Sequence, residues 1–144
     1  MALFAIGLRT TGVASGAAGL EIRAHAGRMT KVHQFEICLA AATASTFGIG
    51  RPAAAGTTGT ANVPSSMDVD DAAVYGGVIV LAGWGVAPTA PTSFLRRIAM
   101  PATIGSQYRL ERTIEIARGT SLVLWNLAAN GVSDVNLVIE DVGL

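Results

Sequence analysis

Two histidines and a short run of aspartates are the residues of this chain whose types could do acid–base or metal chemistry. A serine nucleophile needs a histidine base within hydrogen-bond reach. No Gly-x-Ser-x-Gly motif is present to place a serine beside His25 or His33. His33 also falls in phase with the apolar residues Phe35 and Ile37, which favours a structural position in a strand. We therefore expect no catalytic residue.

The aspartate run contains Asp68, Asp70 and Asp71, and carboxylates at such spacing are ligands that Ca²⁺ accepts. An EF-hand loop counted from Asp68 needs glycine at its sixth position and glutamate at its twelfth. Ala73 and Ile79 stand at those positions instead. We interpret the run as a solvated turn or an ion-pair partner and expect no metal site.

Two other candidate sites are excluded by spacing. A retaining glycosidase holds two carboxyl groups about 5–5.5 Å apart, whereas Glu111 and Glu115 in one strand would be separated by roughly 13 Å. The 17 glycines form neither a dinucleotide-binding fingerprint nor a P-loop. We expect no bound cofactor and a protein that is not an enzyme.

The composition indicates a small neutral domain. Its 144 residues fit a single domain, expected over residues 1–144. Lys+Arg and Asp+Glu each total 10, so the chain lacks the basic surplus with which proteins bind nucleic acid. No apolar stretch reaches the ~20 residues of a membrane helix, and no basic residue precedes the apolar N-terminal run as in a secretory signal. We expect neither a nucleic-acid nor a membrane partner.

Hydrophobic residues make up 51% of the chain and charged residues only 14%. A domain of this size buries roughly 68–70% of its unfolded surface, so the remainder must face a solvent or a partner. With so few charged residues to cover that remainder, we expect apolar patches, which usually mark interfaces. The composition therefore predicts a subunit that is covered by copies of itself or by a larger assembly.

The elements that would position these residues are strands, because the dominant hydrophobic period is two. Leu20, Ile22 and Ala24 alternate with polar neighbours, and residues 135–139 do the same near the C-terminus. The chain predicts about eight strands in an all-β antiparallel sandwich of jelly-roll type, with an immunoglobulin-like sandwich as the alternative. Asn130-Gly131 predicts a hairpin between the last two strands.

Two segments, Val78–Ala82 and Leu122–Leu127, are apolar on both faces, so each requires a cover outside its sheet. Residues 51–73 lose the alternation and are rich in small residues. We expect an extended loop or arm there, which either orders against neighbouring subunits or stays solvated. Trp125 is expected in the core.

The run from Ile114 to Asn126, together with Asp134–Ile139, resembles the closing strands of small jelly-roll virion proteins of tailed bacteriophages. The likeness is to capsid decoration (cement) proteins, which are similar in size, rich in Ala, Gly and Thr, and poor in lysine and cysteine. It covers mainly the last third of the chain and carries no catalytic residue. The resemblance implies a homotrimer that sits on the capsid surface, binds the major capsid protein and stabilises the shell by bridging subunits.

Two alternative functions remain open. One is a receptor- or carbohydrate-binding jelly-roll module of a tail fibre, and the other is a minor capsid or tail component. In an assembling subunit, large side chains beside the proline-rich link and arginines suited to interface ion pairs would make the contacts. The candidate assembly interface comprises Phe4, Arg51, Trp84, Pro88, Pro91, Arg96 and Arg97.

Overall fold

The chain folds into two antiparallel sheets packed face to face. The computed structural model describes residues 2–12 and 14–143; Met1 and Leu144, the ends of the expected domain, lie outside these residues, as does Val13. The strands are β1 (Ala2–Arg9), β2 (Ala17–Arg23), β3 (Met29–Leu39), β4 (Ser45–Gly50), β5 (Ala61–Asn62), β6 (Ser65–Ser66), β7 (Val78–Val80), β8 (Phe94–Met100), β9 (Gln107–Leu110), β10 (Ile114–Ile116), β11 (Ser121–Asn126) and β12 (Ser133–Val142).

Sheet I has the order β10-β3-β12-β1-β6, with β9 also paired to β3, and sheet II has the order β5-β7-β2-β11-β4-β8. The pairs nest: β1 with β12, β2 with β11, β3 with β9 and β10, β4 with β8, and β5 with β7. One long antiparallel ribbon folded over on itself produces this nesting, which is the wrapping of a jelly roll. The expected all-β antiparallel sandwich of jelly-roll type is confirmed.

The described residues form twelve strands, more than the expected number of about eight. Residues 107–116 make one edge of sheet I, but the link 111–113 divides that edge into β9 and β10. The expected arm contributes two further strands of two residues each, β5 and β6. Counted as a ribbon with β9 and β10 taken as one strand, β2 to β11 without β6 give the eight strands of a jelly roll, and β1 and β12 extend it.

The core lies between the sheets and consists of the alternating apolar residues that the sequence pattern selects. Leu20, Ile22, Val135, Leu137 and Ile139 are all at most 1% exposed, as the alternation predicts. Phe35, Ile37 and Leu39 of β3 complete the face of sheet I. Burying each such side chain stabilises the fold by roughly 1.5–3 kcal/mol, and this core fixes the positions of both outer faces and both edges.

The predicted hairpin at Asn130-Gly131 is wrong, because β11 lies in sheet II and β12 in sheet I. The buried Asn130 amide instead ties the crossing link to β4. Its Oδ1 accepts the backbone N–H of Thr46 at 2.8 Å, and its Nδ2 donates to the Thr46 carbonyl at 2.9 Å. No strand in residues 2–12 and 14–143 pairs with the strand next to it in the chain.

Candidate functional site

The histidines occupy structural positions on the surface. His25 is exposed, and its Nδ1 accepts the backbone N–H of Gly27 at 3.0 Å. His33 lies at a β-bulge on the outer face of sheet I, where its Nε2 is 2.7 Å from Oε2 of Glu140. The Thr113 hydroxyl is 3.5 Å from His33 Nδ1, which is longer than the 2.6–3.2 Å of an activated nucleophile. These contacts hold the bulge in place.

The aspartate run forms a compact exposed turn. The Asp70 backbone N–H donates to Oδ1 of Asp68 at 3.1 Å, and that of Ala73 donates to Oδ1 of Asp71 at 2.9 Å. Across residues 2–12 and 14–143, no three His, Cys, Asp or Glu side chains come close enough together to hold a metal ion. The same residues contain no helix long and apolar enough to cross a membrane.

The one fully buried carboxylate of the described chain, Glu21, lies on the outer face of sheet II. Its Oε1 accepts the Gly56 backbone N–H at 2.9 Å, and its Oε2 accepts Trp84 Nε1–H at 2.8 Å and Arg23 Nε–H at 3.0 Å. Burial alone raises the pKa of Glu21, but these hydrogen bonds outweigh burial and hold its pKa below the usual value. An ionised carboxylate so fully engaged acts as a structural anchor and not as a general acid.

Glu21 anchors a layer that we call the cover, formed by residues 51–59 and 83–93. The two segments are hydrogen-bonded to each other, with Thr57 N–H donating to the Val86 carbonyl and Thr89 N–H to the Ala54 carbonyl. Beneath the cover lies a second apolar cluster of Ala18, Val123 and Trp125, against which Trp84, Phe94 and Leu127 pack. Trp125 is therefore buried, as expected, but outside sheet II instead of between the sheets.

Three of the candidate interface residues have side chains that pack within the cover. Pro88 and Pro91 are buried, and Trp84 is half-buried with its indole N–H on Glu21. A Cβ at Gly56 would lie 2.6 Å from Trp84 Cδ1 and 3.0 Å from Pro88 Cδ, so the cover packs closely. These side chains contact their own chain, and their assignment to a partner interface stays a prediction.

Phe4, another candidate interface residue, packs inside its own chain. It is 1% exposed because even-numbered residues of β1 face the core, and its ring packs 5.8 Å from that of Tyr75. The expected arm over residues 51–73 likewise lies on its own chain. Its β5 pairs with β7 in sheet II and its β6 pairs with β1 in sheet I.

Ion pairs divide the charged residues into two groups. Basic residues paired with a carboxylate are Arg9, Arg23, Arg28, Lys31, His33 and Arg109. Within the described chain, the arginines without such a partner are Arg51, Arg96, Arg97, Arg112 and Arg118. The acidic residues without a basic partner there are Asp68, Asp70, Asp71 and Glu111. The two unpaired groups are concentrated at opposite edges of the sandwich.

The basic edge lies where β8 of sheet II faces β9 and β10 of sheet I. A concave site of about 430 Å³ opens between these strands, which we call the basic groove. It is lined by Arg51, Leu95, Arg96, Leu110, Arg112, Thr113, Ile114 and Glu115. The groove unites Arg51 and Arg96 of the candidate interface, whereas Arg97 lies over the Phe94 ring at 5.6 Å.

Two structural details form the basic groove. Regular alternation along β8 places Arg96 opposite Ile49, on the same side as Ile98 and Met100 at the open edge, and the bulge in the pairing follows between Ile49 and Gly50. The Arg51 guanidinium bridges the sheets by donating to the Glu115 carbonyl at 3.1 Å. Sequence reasoning selected both arginines but missed Arg112, whose only signal was its place in the link that divides β9 from β10.

The opposite edge is formed by β5 and β6, and the acidic turn at residues 67–74 follows β6 there. The turn starts at Met67, whose backbone N–H donates to the Leu3 carbonyl at 2.8 Å. It carries the unpaired aspartates, and Val69 at its tip is 98% exposed.

Neither a family model, nor a curated protein, nor a solved structure matches the chain.

Proposed function

We propose that the protein is a non-enzymatic structural protein that assembles with copies of itself, as a capsid decoration protein of a tailed bacteriophage does. One observation carries the proposal. After the cover has closed the outer face of sheet II, most of the large exposed aliphatic side chains of the described residues lie along a single edge of the sandwich. An edge of this kind is the surface that an assembling subunit would bury.

The apolar edge is built from β1, the link after β5 and the acidic turn. Its exposed side chains are Leu3, Val63, Met67, Val69 and Val74. The other large exposed aliphatic side chains in the described chain, Val86, Leu95 and Ile104, lie apart in the cover, on β8 and in the turn before β9. Burial of the apolar edge against a neighbour would provide the hydrophobic part of an assembly interface.

The carbohydrate-binding alternative is less well supported. A sugar-binding surface uses exposed aromatic rings, which present a flat apolar face beside polar groups. In the described chain every aromatic side chain is buried or half-buried, and Trp84 and Trp125 are both engaged beneath or within the cover. A stacking platform for a glycan would require the cover to open.

Under this proposal the protein forms a homotrimer, is located on the virion surface and binds the major capsid protein. The test is sedimentation equilibrium of the purified chain, followed by co-sedimentation with capsids of the phage that encodes it. We expect a trimer, and binding to intact capsids that is absent with unassembled capsid protein. A chain that stays monomeric and does not bind capsids would overturn the proposal.

A further inference from the structure

We propose that each copy binds the next by placing its acidic turn in the neighbour's basic groove. This inference rests on the proposed self-assembly and names the two surfaces that would perform it. The occupant of the groove is thus a second copy of this chain, and its contact segment is Asp68–Asp71 with the exposed Val69.

The groove has the chemistry to bind carboxylates. Arg51, Arg96 and Arg112 line it, and none of them has a carboxylate partner within the described chain. Guanidinium groups hold carboxylates with paired, directional hydrogen bonds. Of the two acidic residues near them, Glu115 is 3.6 Å from Lys31 Nζ, and Glu111 is the single unpaired carboxylate at this edge. The groove therefore has an excess of positive charge.

The acidic turn has the complementary composition. Asp68, Asp70 and Asp71 are exposed. Asp68 and Asp71 accept backbone N–H groups of their own turn, and none of the three aspartates has a basic partner in the described chain. Val69 stands between them, and the buried floor of the groove is formed by Leu110 and Ile114. An apolar tip between carboxylates thus matches an apolar floor between arginines.

The acidic turn and the basic groove lie too far apart for the turn to bind the groove of its own chain. The groove lies at the edge of β8, β9 and β10, whereas the turn lies at the edge of β5 and β6, on the far side of both sheets. Each copy therefore offers one surface to the copy before it and the other to the copy after it. Such a head-to-tail contact is heterologous and closes into a ring when the rotation per subunit allows it.

The backbone at the groove adds a second source of affinity. The outer sides of β8 and of β9 and β10 have no neighbouring strand in the described sheets, and side chains occupy only the Leu95 and Glu115 carbonyls among their backbone groups. An extended segment beside the acidic turn would add to such an edge, as in β-strand addition. The charges would then determine which segment binds.

Charge reversal on each side, and on both sides together, tests the contact. One variant carries Arg96→Glu and Arg112→Glu, a second carries Asp70→Arg and Asp71→Arg, and a third carries all four substitutions. We expect each of the first two to weaken association by about tenfold or more, measured by sedimentation equilibrium. The third should restore association, because every contact again joins opposite charges. Thermal melting should show all three folded, since the substituted residues are exposed.

Arg118→Glu is the matched control, because Arg118 is an exposed arginine without a carboxylate partner in the described chain and does not line the groove. It should leave association unchanged. If the groove and turn variants associate as the unmodified chain does, the contact is overturned while the proposed function stands. The contact is likewise overturned if the unmodified chain is monomeric, and capsid binding by that monomer would still support a structural role.

Discussion

The outer faces of the two sheets differ in polarity and in exposure to water. The outer face of sheet I is polar and open, and the ion pair of Arg9 with Asp134 and the hydrogen bond of His33 with Glu140 lie across it. The outer face of sheet II is apolar around Val123 and Trp125, and the cover closes it. Polar side chains make the outer face of sheet I compatible with water, whereas residues 51–59 and 83–93 shield the outer face of sheet II from water.

This difference changes how a doubly apolar strand should be interpreted. Leu122–Leu127 predicts a cover outside the sheet, and that cover exists, but the chain itself supplies it. Under the proposed function, the apolar surface left for partners is an edge of the sandwich instead of the outer face of sheet II. Glu21 is the residue on which the distinction depends, because it joins both segments of the cover to β2.

The largest expected effect comes from removing that anchor. Glu21→Ala leaves the buried donors of Arg23, Gly56 and Trp84 without an acceptor, and breaking a buried pair of this kind costs about 3 kcal/mol or more. We expect a loss of that size in the free energy of unfolding, measured by urea denaturation.

Glu36→Ala is the matched control on sheet I. Glu36 accepts Asn136 Nδ2–H at 3.1 Å and lies 3.6 Å from Arg109 Nε, in a partly solvated position. Its loss should cost about 1 kcal/mol or less. Equal losses for the two glutamates would mean that the faces do not differ in the way described.

A smaller effect is expected for Trp84→Ala, which removes the indole from the cover but leaves Glu21 its other donors. Because Trp84 is half-buried, we expect a loss of about 2 kcal/mol, below the usual range for a buried tryptophan. The free energy of unfolding should fall while the association constant stays unchanged. A fall in the association constant with unchanged stability would place Trp84 at the interface between copies and show that a neighbouring copy contacts the cover.

The sequence predicts the core well and the connections poorly. Period-two alternation is a local property, so Leu20, Ile22 and residues 135–139 could be assigned to the buried face from the pattern alone. The partner of each strand is not local. Asn130-Gly131 has the residues of a tight hairpin, but the Asn130 amide binds Thr46, which is far away in the sequence.

The candidate site shows the same limit. The arginines at residues 51 and 96 could be selected as interface types, but nothing in their spacing shows that β4, β8 and β10 bring them to one groove. Glu21 was missed because an alternating glutamate in a strand normally indicates a solvated face. Only the cover, contributed by residues 51–59 and 83–93, turns that position into a buried one.

The acid dependence of stability should belong to sheet II. Because the pKa of Glu21 is lower in the folded chain than its usual value of 4.5, its ionised form stabilises the fold above that pH, and this stabilisation is lost as the pH falls through the folded value. We expect urea midpoints to fall as the pH drops below about 5, and Glu21→Gln to reduce that fall. The pKa of Asp134 is also lowered, by its hydrogen bond to Arg9, but this carboxylate is exposed and easily screened. Asp134→Asn should leave the slope nearly unchanged, and a larger change than that of Glu21→Gln would assign acid sensitivity to sheet I.

The smallest effect is expected for Arg9→Ala on the open face. Arg9 holds Asp134 with two hydrogen bonds, at 2.7 and 2.9 Å, which is the best geometry that a surface pair offers. Both side chains are exposed, so water replaces each hydrogen bond and salt screens the attraction. The urea midpoint should therefore match that of the unmodified chain within replicate error, at low and at high salt. A loss comparable to that of Trp84→Ala would mean that the outer face of sheet I is not solvated, and that it too is covered when the chain assembles.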